Sequence, residues 1–102
     1  MNRCILAPKA LRDLDEISSY FAKQNVEAGE RLLTLFNEKC TRLMSFPNMG
    51  KSYEYLSAGV RGIPLEGYIV FHQIVDTDII ILRAIGGRQN LDSIFNVDEE
   101  NQ

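Results

Sequence analysis

Two apolar runs in the second half of the chain predict a β-hairpin. Tyr68–Val75 and Ile79–Ile85 are rich in the β-branched and aromatic side chains that suit a pleated, half-buried surface. Only Asp76-Thr77-Asp78 separates them, which is short enough for a turn between antiparallel strands. Ile79–Leu82 is apolar without alternation, a pattern typical of a strand covered on both faces. We therefore expect an interior strand here, followed by Gly86-Gly87-Arg88.

The first half of the chain predicts two helices. Apolar residues recur every three or four positions over Pro8–Gln24, and Pro8 fits the first turn, where its missing N–H costs nothing. Asn25 is a good N-cap for a second amphipathic run, which ends at Phe46 because Pro47 cannot continue a helix. Since almost no loop separates the two helices, they are expected to form an antiparallel hairpin.

Shorter segments predict the remaining elements. Arg3–Leu6 predicts a first strand, Lys51–Leu56 a weak strand and Gly59–Leu65 a better one, with Pro64 indicating an edge or a strand end. Gln89–Phe95 is expected to form a short helical turn. The predicted fold class is α+β: an N-terminal strand and an antiparallel helical hairpin packed on one face of a small antiparallel β-sheet. The opposite face is expected to be uncovered and open to a partner.

The composition is that of one small domain. The 102 residues are 45% hydrophobic and 25% charged, which is ordinary for a globular protein, and we assign one domain to residues 1–96 and an acidic flexible tail to 97–102. No apolar run reaches the ~18 residues that span a bilayer, and no signal-peptide pattern precedes the domain. We expect a cytoplasmic protein without membrane contact. The net charge of -3 weighs against nonspecific nucleic-acid binding.

Arginines near the end of the sheet are candidate anion-binding residues. Gly86-Gly87-Arg88 offers backbone N–H groups and a guanidinium at a strand end, but it matches neither the P-loop nor the dinucleotide fingerprint. Arg83 stands inside an apolar strand and therefore needs an anionic partner. That partner is expected to be a bound anion or, with slightly more weight, a carboxylate such as Asp76, Asp78 or Asp92.

Other polar residues are expected to be structural. His72 is the only histidine, and no nucleophile is placed to complete a catalytic group, so we expect a hydrogen-bonded or exposed strand histidine. Asp13 and its neighbours are assigned to the solvated face of the first helix. Cys4 and Cys40 are expected to be buried reduced thiols. Neither a metal site nor a cofactor is expected.

Five segments together resemble the RelE/ParE toxin superfamily. Their order and spacing span nearly the whole chain, and they are most similar to the ParE branch, also called plasmid stabilisation proteins. The segments are Leu11–Tyr20, Leu43–Gly50, Gly59–Arg61, Tyr68–Phe71 and Ile80–Leu91. The resemblance implies the same strand, helical hairpin and sheet, in a toxin of a type II toxin–antitoxin module. Its expected partner is a ParD-like antitoxin whose C-terminal segment wraps over the helices and the sheet.

The two branches of this superfamily imply different targets. ParE-type toxins poison DNA gyrase by binding, whereas RelE-type toxins cut mRNA on the ribosome with a cluster of Lys and Arg and a C-terminal Tyr or His. This chain has Ile69 where RelE proteins carry an arginine, Phe95 as its C-terminal aromatic, and no lysine after Lys51. The resemblance therefore favours a gyrase poison. The alternatives are a RelE-like ribosome-dependent endoribonuclease and a non-toxic antitoxin-binding module.

The expected binding residues combine three arginines with two aromatic residues. They are Arg61, Tyr68, Arg83, Arg88 and Phe95. No catalytic residue is expected of a gyrase poison, whereas a ribonuclease would use the three arginines of this set. The assembly is expected to be either a homodimer or a toxin–antitoxin hetero-oligomer.

Overall fold

The computed structural model describes residues 3–87, which form two helices packed on a five-stranded sheet. In chain order the elements are β1 (Cys4–Leu6), α1 (Pro8–Gln24), α2 (Val26–Ser45), β2 (Lys51–Ser52), β3 (Arg61–Leu65), β4 (Tyr68–Val75) and β5 (Asp78–Gly86). The strand order is β1-β5-β4-β3-β2. The α+β class is confirmed. The expected helical turn at Gln89–Phe95 and the acidic tail at 97–102 lie outside the described residues.

β5 is an interior strand, as its unbroken apolar run predicts. It pairs in antiparallel fashion with β4 and in parallel with β1, where Cys4 lies opposite Ile79. The sheet is therefore mixed, with one parallel pair added to the expected antiparallel strands. At the far edge, Pro64 faces a side of β3 that β2 does not reach, since β2 pairs only with Arg61 and Gly62. Pro64 thus lies one residue before the end of β3, on a side without a partner strand, which agrees with the prediction of an edge or a strand end.

The two helices meet at a single residue, Asn25. Its extended backbone ends α1, and its side-chain Oδ1 accepts a hydrogen bond from the Glu27 N–H at 2.8 Å, which caps α2. Further along, Gly29 allows the helices to approach closely. A Cβ atom at this position would lie 2.9 Å from both the Ala22 Cβ and the Ser18 carbonyl oxygen. The hairpin is therefore fixed in angle by a cap and in spacing by a glycine.

The main core lies between the helices and one face of the sheet. It takes its buried side chains from both helices and from β3, β4 and β5. They are Ala10, Leu14, Ile17, Leu32, Phe36, Cys40, Leu43, Ile63, Leu65, Val70, Ile79, Ile81 and Ala84. The predicted packing of the helical hairpin on the sheet is confirmed.

The opposite sheet face is covered in part, so the expectation that it is uncovered is wrong. Residues 53–60 fold back over it, and the loop is closed by the Tyr53 N–H, which donates to the Val60 carbonyl at 2.9 Å. The ring of Tyr53 packs edge-on against Phe71 with centroids 5.0 Å apart. Gly62 makes room for this ring, because a Cβ there would come within 2.8 Å of it. Leu56 and Ile85 complete this second cluster.

A β-bulge interrupts the pairing of β4 with β5. Phe71 lies opposite Arg83, but the next residue, His72, lies opposite Ile81. Leu82 is therefore the extra residue on β5. A bulge bends a strand and redirects its side chains, and here it falls immediately before Arg83.

Truncation of the main core should destabilise the protein in proportion to burial. We expect Leu14→Ala and Ile81→Ala each to lower the free energy of unfolding by ~2–5 kcal/mol, through lost apolar contact and a residual cavity. Leu35→Ala should cost less, because Leu35 is only partly buried. Leu11→Ala is the control, since Leu11 is 60% exposed on the same helix as Leu14. Equal unfolding midpoints in urea for all four variants would contradict this packing.

Candidate functional site

The first candidate site is a groove of about 330 Å³ between α1 and the end of β5, termed here the α1–β5 groove. β1 pairs only with Ile79–Ile81, so the later part of β5 faces α1 rather than another strand. The groove is lined by Asp13, Glu16, Ile17, Tyr20, Tyr68, Arg83, Ala84, Ile85 and Gly86. Two of the predicted binding residues, Tyr68 and Arg83, therefore lie together.

The dominant interaction in this groove joins Arg83 to Asp13. The Arg83 Nε donates to Asp13 Oδ2 at 2.7 Å, and Nη2 donates to Oδ1 at 3.1 Å. The backbone N–H of Ala84 also donates to Oδ2, at 3.0 Å. The side chains of Arg83 and Asp13 are only 20% and 15% exposed. One carboxylate of α1 thus accepts three hydrogen bonds from β5.

This pairing corrects two predictions from sequence. Asp13 was expected to be solvated on α1, and the carboxylates considered as partners of Arg83 were Asp76, Asp78 and Asp92. In the structure Asp78 instead pairs with Arg3 at 2.9 Å, which lowers the pKa of Asp78 and raises that of Arg3. Asp76 lies in the β4–β5 turn. The Asp13–Arg83 contact arises because the helical hairpin lays α1 along β5.

The chemistry of the α1–β5 groove suits a protein partner better than a phosphate. The Asp13 carboxylate compensates the charge of Arg83, and Glu16 adds another carboxylate to the lining. Two aromatic side chains provide apolar area: Tyr20 is 56% exposed, and Tyr68 packs edge-on against Phe21 at 6.4 Å. Aromatic residues and arginine are both enriched at protein interfaces, and this groove presents Tyr20, Tyr68 and Arg83.

The second candidate site, termed here the Arg61–His72 groove, encloses about 280 Å³ at the other end of the sheet. It is lined by Pro47, Asn48, Glu54, Gly59, Arg61, His72, Gln73 and Ile74. Arg61 is opposite His72 in the β3–β4 register. Its Nη2 donates to the Gly50 carbonyl at 2.6 Å, while its Nε is buried without a hydrogen-bond partner among the described residues.

His72 is fully buried, contrary to the expectation of a hydrogen-bonded or exposed histidine. Within residues 3–87 neither ring nitrogen has a hydrogen-bond partner. Burial lowers the pKa of His72, and the positive charge of Arg61 acts in the same direction. The backbone of Met49 opposes this shift without reaching the geometry of a full hydrogen bond. The structure therefore favours a neutral imidazole that is shielded from solvent.

The two grooves share no lining residue, so the structure separates Arg61 from Tyr68 and Arg83. The predicted binding residues Arg88 and Phe95 lie outside the described residues. The sequence-based prediction missed Asp13, Glu16 and Tyr20, although one signal was present. An arginine inside an apolar strand requires a carboxylate. Asp76, Asp78 and Asp92 lie near Arg83 in sequence, whereas its actual partner, Asp13, is brought to it by the fold.

Two negative findings concern residues 3–87. No helix in this range is long and apolar enough to cross a membrane. In the same part of the chain, no group of three or more His, Cys, Asp or Glu side chains is arranged to hold a metal ion.

Comparison with known proteins establishes the family. Residues 4–91 match the sequence model described as "ParE toxin of type II toxin-antitoxin system, parDE". The chain belongs to the ParE toxin family. It is 28% identical to Toxin ParE3 of Caulobacter vibrioides over 92 residues, which covers 89% of this chain and 92% of that protein. The resemblance inferred from the five segments is confirmed.

A solved structure shares the fold. The structure described as "Chromosomal ParDE TA system from P. aeruginosa" superposes with a TM-score of 0.70 and 23% sequence identity. The match covers 84% of this chain and 96% of the other chain. The ParE-family arrangement of strand, helical hairpin and sheet thus persists at low sequence identity.

Loss of the Asp13 carboxylate should destabilise this ParE-family toxin. In Asp13→Ala, the largely buried Arg83 guanidinium and the Ala84 N–H both lose an acceptor, so we expect the free energy of unfolding to fall by about 1–3 kcal/mol. Asp15→Ala is the matched control on the exposed side of α1 and should change it by no more than ~0.5 kcal/mol. In a double-mutant cycle with Arg83→Ala, strictly additive effects would show that the two side chains are not coupled.

Burial of His72 should make stability depend on pH. The folded-state pKa is lowered from the ordinary value of 6.5, so the unfolded chain binds more protons below that pH. Stability should therefore be full above pH 6.5 and fall as the pH drops towards the lowered folded-state value. Urea unfolding of the wild type and of His72→Leu between pH 7.5 and pH 5 measures this. We expect His72→Leu to lose most of the slope, and an unchanged slope would assign it to other groups.

Proposed function

We propose that this ParE-family toxin poisons DNA gyrase by binding to it and is neutralised by a cognate ParD-like antitoxin. The family assignment supports the toxin–antitoxin setting, and the cytoplasm is the proposed site of action because gyrase and the chromosome are there. The single observation that carries the choice of a binding toxin over a nuclease is the pairing of Arg83 with the Asp13 carboxylate.

A ribonuclease needs positive charge aimed at the phosphate and groups that move protons. Arg83 is held by Asp13 through two hydrogen bonds, so its charge is already compensated. Arg61 donates to the Gly50 carbonyl and lies in a different groove. His72, the one histidine, is fully buried. These contacts argue against a nuclease site that depends on Arg83 and His72, and Arg61 lies apart from Arg83.

The proposed antitoxin would cover apolar side chains that the helical hairpin leaves exposed. Leu11, Tyr20 and Val26 are 60%, 56% and 66% exposed, and Leu33 is 42% exposed. A contiguous exposed apolar patch is typical of a protein-binding surface, and Val26 and Leu33, seven residues apart, share one face of α2. Tyr20 also lines the α1–β5 groove, so one segment crossing α1 would contact both the helix and Tyr68. Complex formation as a toxin–antitoxin hetero-oligomer is the proposed assembly.

A gyrase cleavage assay tests the proposed target. Purified toxin, freed of antitoxin, is mixed with gyrase, ATP and supercoiled plasmid, and the products are treated with detergent and protease. We expect linear DNA that increases with toxin dose, because a poison traps the cleaved-DNA state. Prior incubation with the antitoxin encoded beside the toxin should suppress the linear product.

Two arginine variants test whether DNA cleavage in this assay depends on a particular residue of the toxin. Arg88→Ala should reduce the linear product at least several-fold without changing the unfolding midpoint, since Arg88 is proposed to contact the target. Arg12→Ala is the charge-matched control, because Arg12 is exposed on α1. If the wild type yields no linear DNA, a ribosome-programmed mRNA cleavage assay distinguishes the endoribonuclease from a non-toxic antitoxin-binding module.

A further inference from the structure

The polar groups of the Arg61–His72 groove lack partners that similar groups have elsewhere in the described chain. Arg83 and Arg3 each meet a carboxylate, at 2.7 Å and 2.9 Å. Among the described residues Arg61 meets no carboxylate, and it donates instead to the neutral Gly50 carbonyl. Its Nε and both ring nitrogens of His72 are buried there without a hydrogen-bond partner. Native proteins leave few buried polar groups in this state, so the cluster requires an explanation.

The fold brings these groups together beside an open groove. Arg61 on β3 is directly opposite His72 on β4, so the two side chains project from the same face of the sheet. The lining residues differ in exposure: Asn48 and Ile74 are exposed, Arg61 is half-buried, and His72 is fully buried. The groove therefore leads from solvent to the polar groups that lack partners.

We propose that the Arg61–His72 groove is a binding site for a carboxylate, with Arg61 as its cation and the imidazole N–H of His72 as a second donor. A guanidinium matches the planar geometry of a carboxylate, and a partly buried guanidinium needs such a counter-ion. A neutral imidazole retains one N–H donor. The site shares no residue with the α1–β5 groove, so the proposal does not depend on the target of the toxin.

The charges around Arg61 favour a carboxylate over a phosphate. Arg61 is the only Lys or Arg on the described lining of the groove, and Glu54 adds a carboxylate to that lining. A phosphate group carries a charge of about −1.5 to −2 at neutral pH, so Glu54 would repel it more strongly than a singly charged carboxylate. The net charge of -3 acts in the same direction.

The rest of the lining suits the remainder of a small ligand. Pro47 and Ile74 provide apolar surface for an alkyl group, and Asn48 and Gln73 provide amides for a second polar atom. The groove volume of about 280 Å³ lies near the lower end of the range for ligand pockets. The carboxylate therefore belongs to a short-chain acid or to the C-terminal residue of a peptide, which present the same group.

The test titrates the full chain, labelled with nitrogen-15, with sodium propionate and follows side-chain signals by NMR. His72 is the only histidine, so its ring signals are identified without variants. We expect saturable shifts of one arginine Nε signal and of a His72 ring signal, because both groups gain an acceptor. Propionamide, a neutral analogue of the same shape, and sodium chloride at equal ionic strength should give no saturable shift. Equal shifts with propionamide, or none with propionate, would overturn the proposal.

Two arginine variants test the role of Arg61. Arg61→Gln should remove the shifted Nε signal and weaken propionate binding by about tenfold or more, because a charge-assisted hydrogen bond is lost. Arg12→Gln is the charge-matched control, since Arg12 is exposed on α1 and does not line the groove. If Arg61→Gln fails to fold, the comparison of propionate with propionamide on the wild type still decides. Undiminished binding by folded Arg61→Gln would contradict the proposed site.

Further titrations identify the source of the carboxylate. Acetylated trialanine with a free C-terminus that binds about tenfold more tightly than propionate, with no binding of its amidated form, would assign a peptide terminus. Binding no tighter than that of propionate would assign a free acid. Inorganic phosphate should bind more weakly than propionate, and phosphate binding of equal or greater affinity would overturn the assignment to a carboxylate.

Discussion

The fold depends on the double coverage of β5. This strand carries four consecutive apolar residues, so neither face can be left to water without losing the burial of large side chains. Ile79 and Ile81 are covered by the helical hairpin, whereas Ile85 is covered by the loop at residues 53–60. The side chains of this one strand are therefore buried by both the helical hairpin and the loop at residues 53–60. The helices alone would leave the apolar side chains of the second cluster, Phe71 and Ile85 among them, exposed.

The polar groups around this core differ in whether they have hydrogen-bond partners. Arg83 and the Ala84 N–H both donate hydrogen bonds to the Asp13 carboxylate on α1. The part of β5 that extends beyond β1 is therefore hydrogen-bonded to the helix instead of to a strand. The His72 side chain is instead removed from solvent, and neither ring nitrogen has a hydrogen-bond partner among the described residues. Protonation of His72 would place a charge in the interior without a hydrogen-bond partner, so the folded state favours the neutral imidazole.

Local signals explain why some predictions from sequence were correct. Pro8, Asn25 and Pro47 act through their own backbone or side chain, and they placed the helix ends to within a residue or two. The hairpin of β4 and β5 follows from composition and a short turn. Local signals of this kind could not predict that residues 53–60 cover the second face of the sheet. It depends on the absence of a Cβ at Gly62, which matters only once Tyr53 is known to lie above it.

The site was predicted less completely than the fold for a related reason. Asp13 and Arg83 meet only because the hairpin lays α1 beside β5, and no spacing in the sequence encodes that contact. The predicted binding residues Tyr68 and Arg83 share a groove, but Arg61 does not join them.

The family fold does not by itself determine the target, since one fold can serve several functions. A solved ParDE structure shares this architecture at 23% identity, and at that identity the likeness shows the fold alone. What differs between a nuclease and a binding toxin is whether positive charge is left free to meet a phosphate. In the described part of this chain, Asp13 compensates the charge of Arg83, whereas Arg61 donates one hydrogen bond to the neutral Gly50 carbonyl. Recognition would then depend on apolar contact and shape at the α1–β5 groove, where Tyr20 and Tyr68 supply the area.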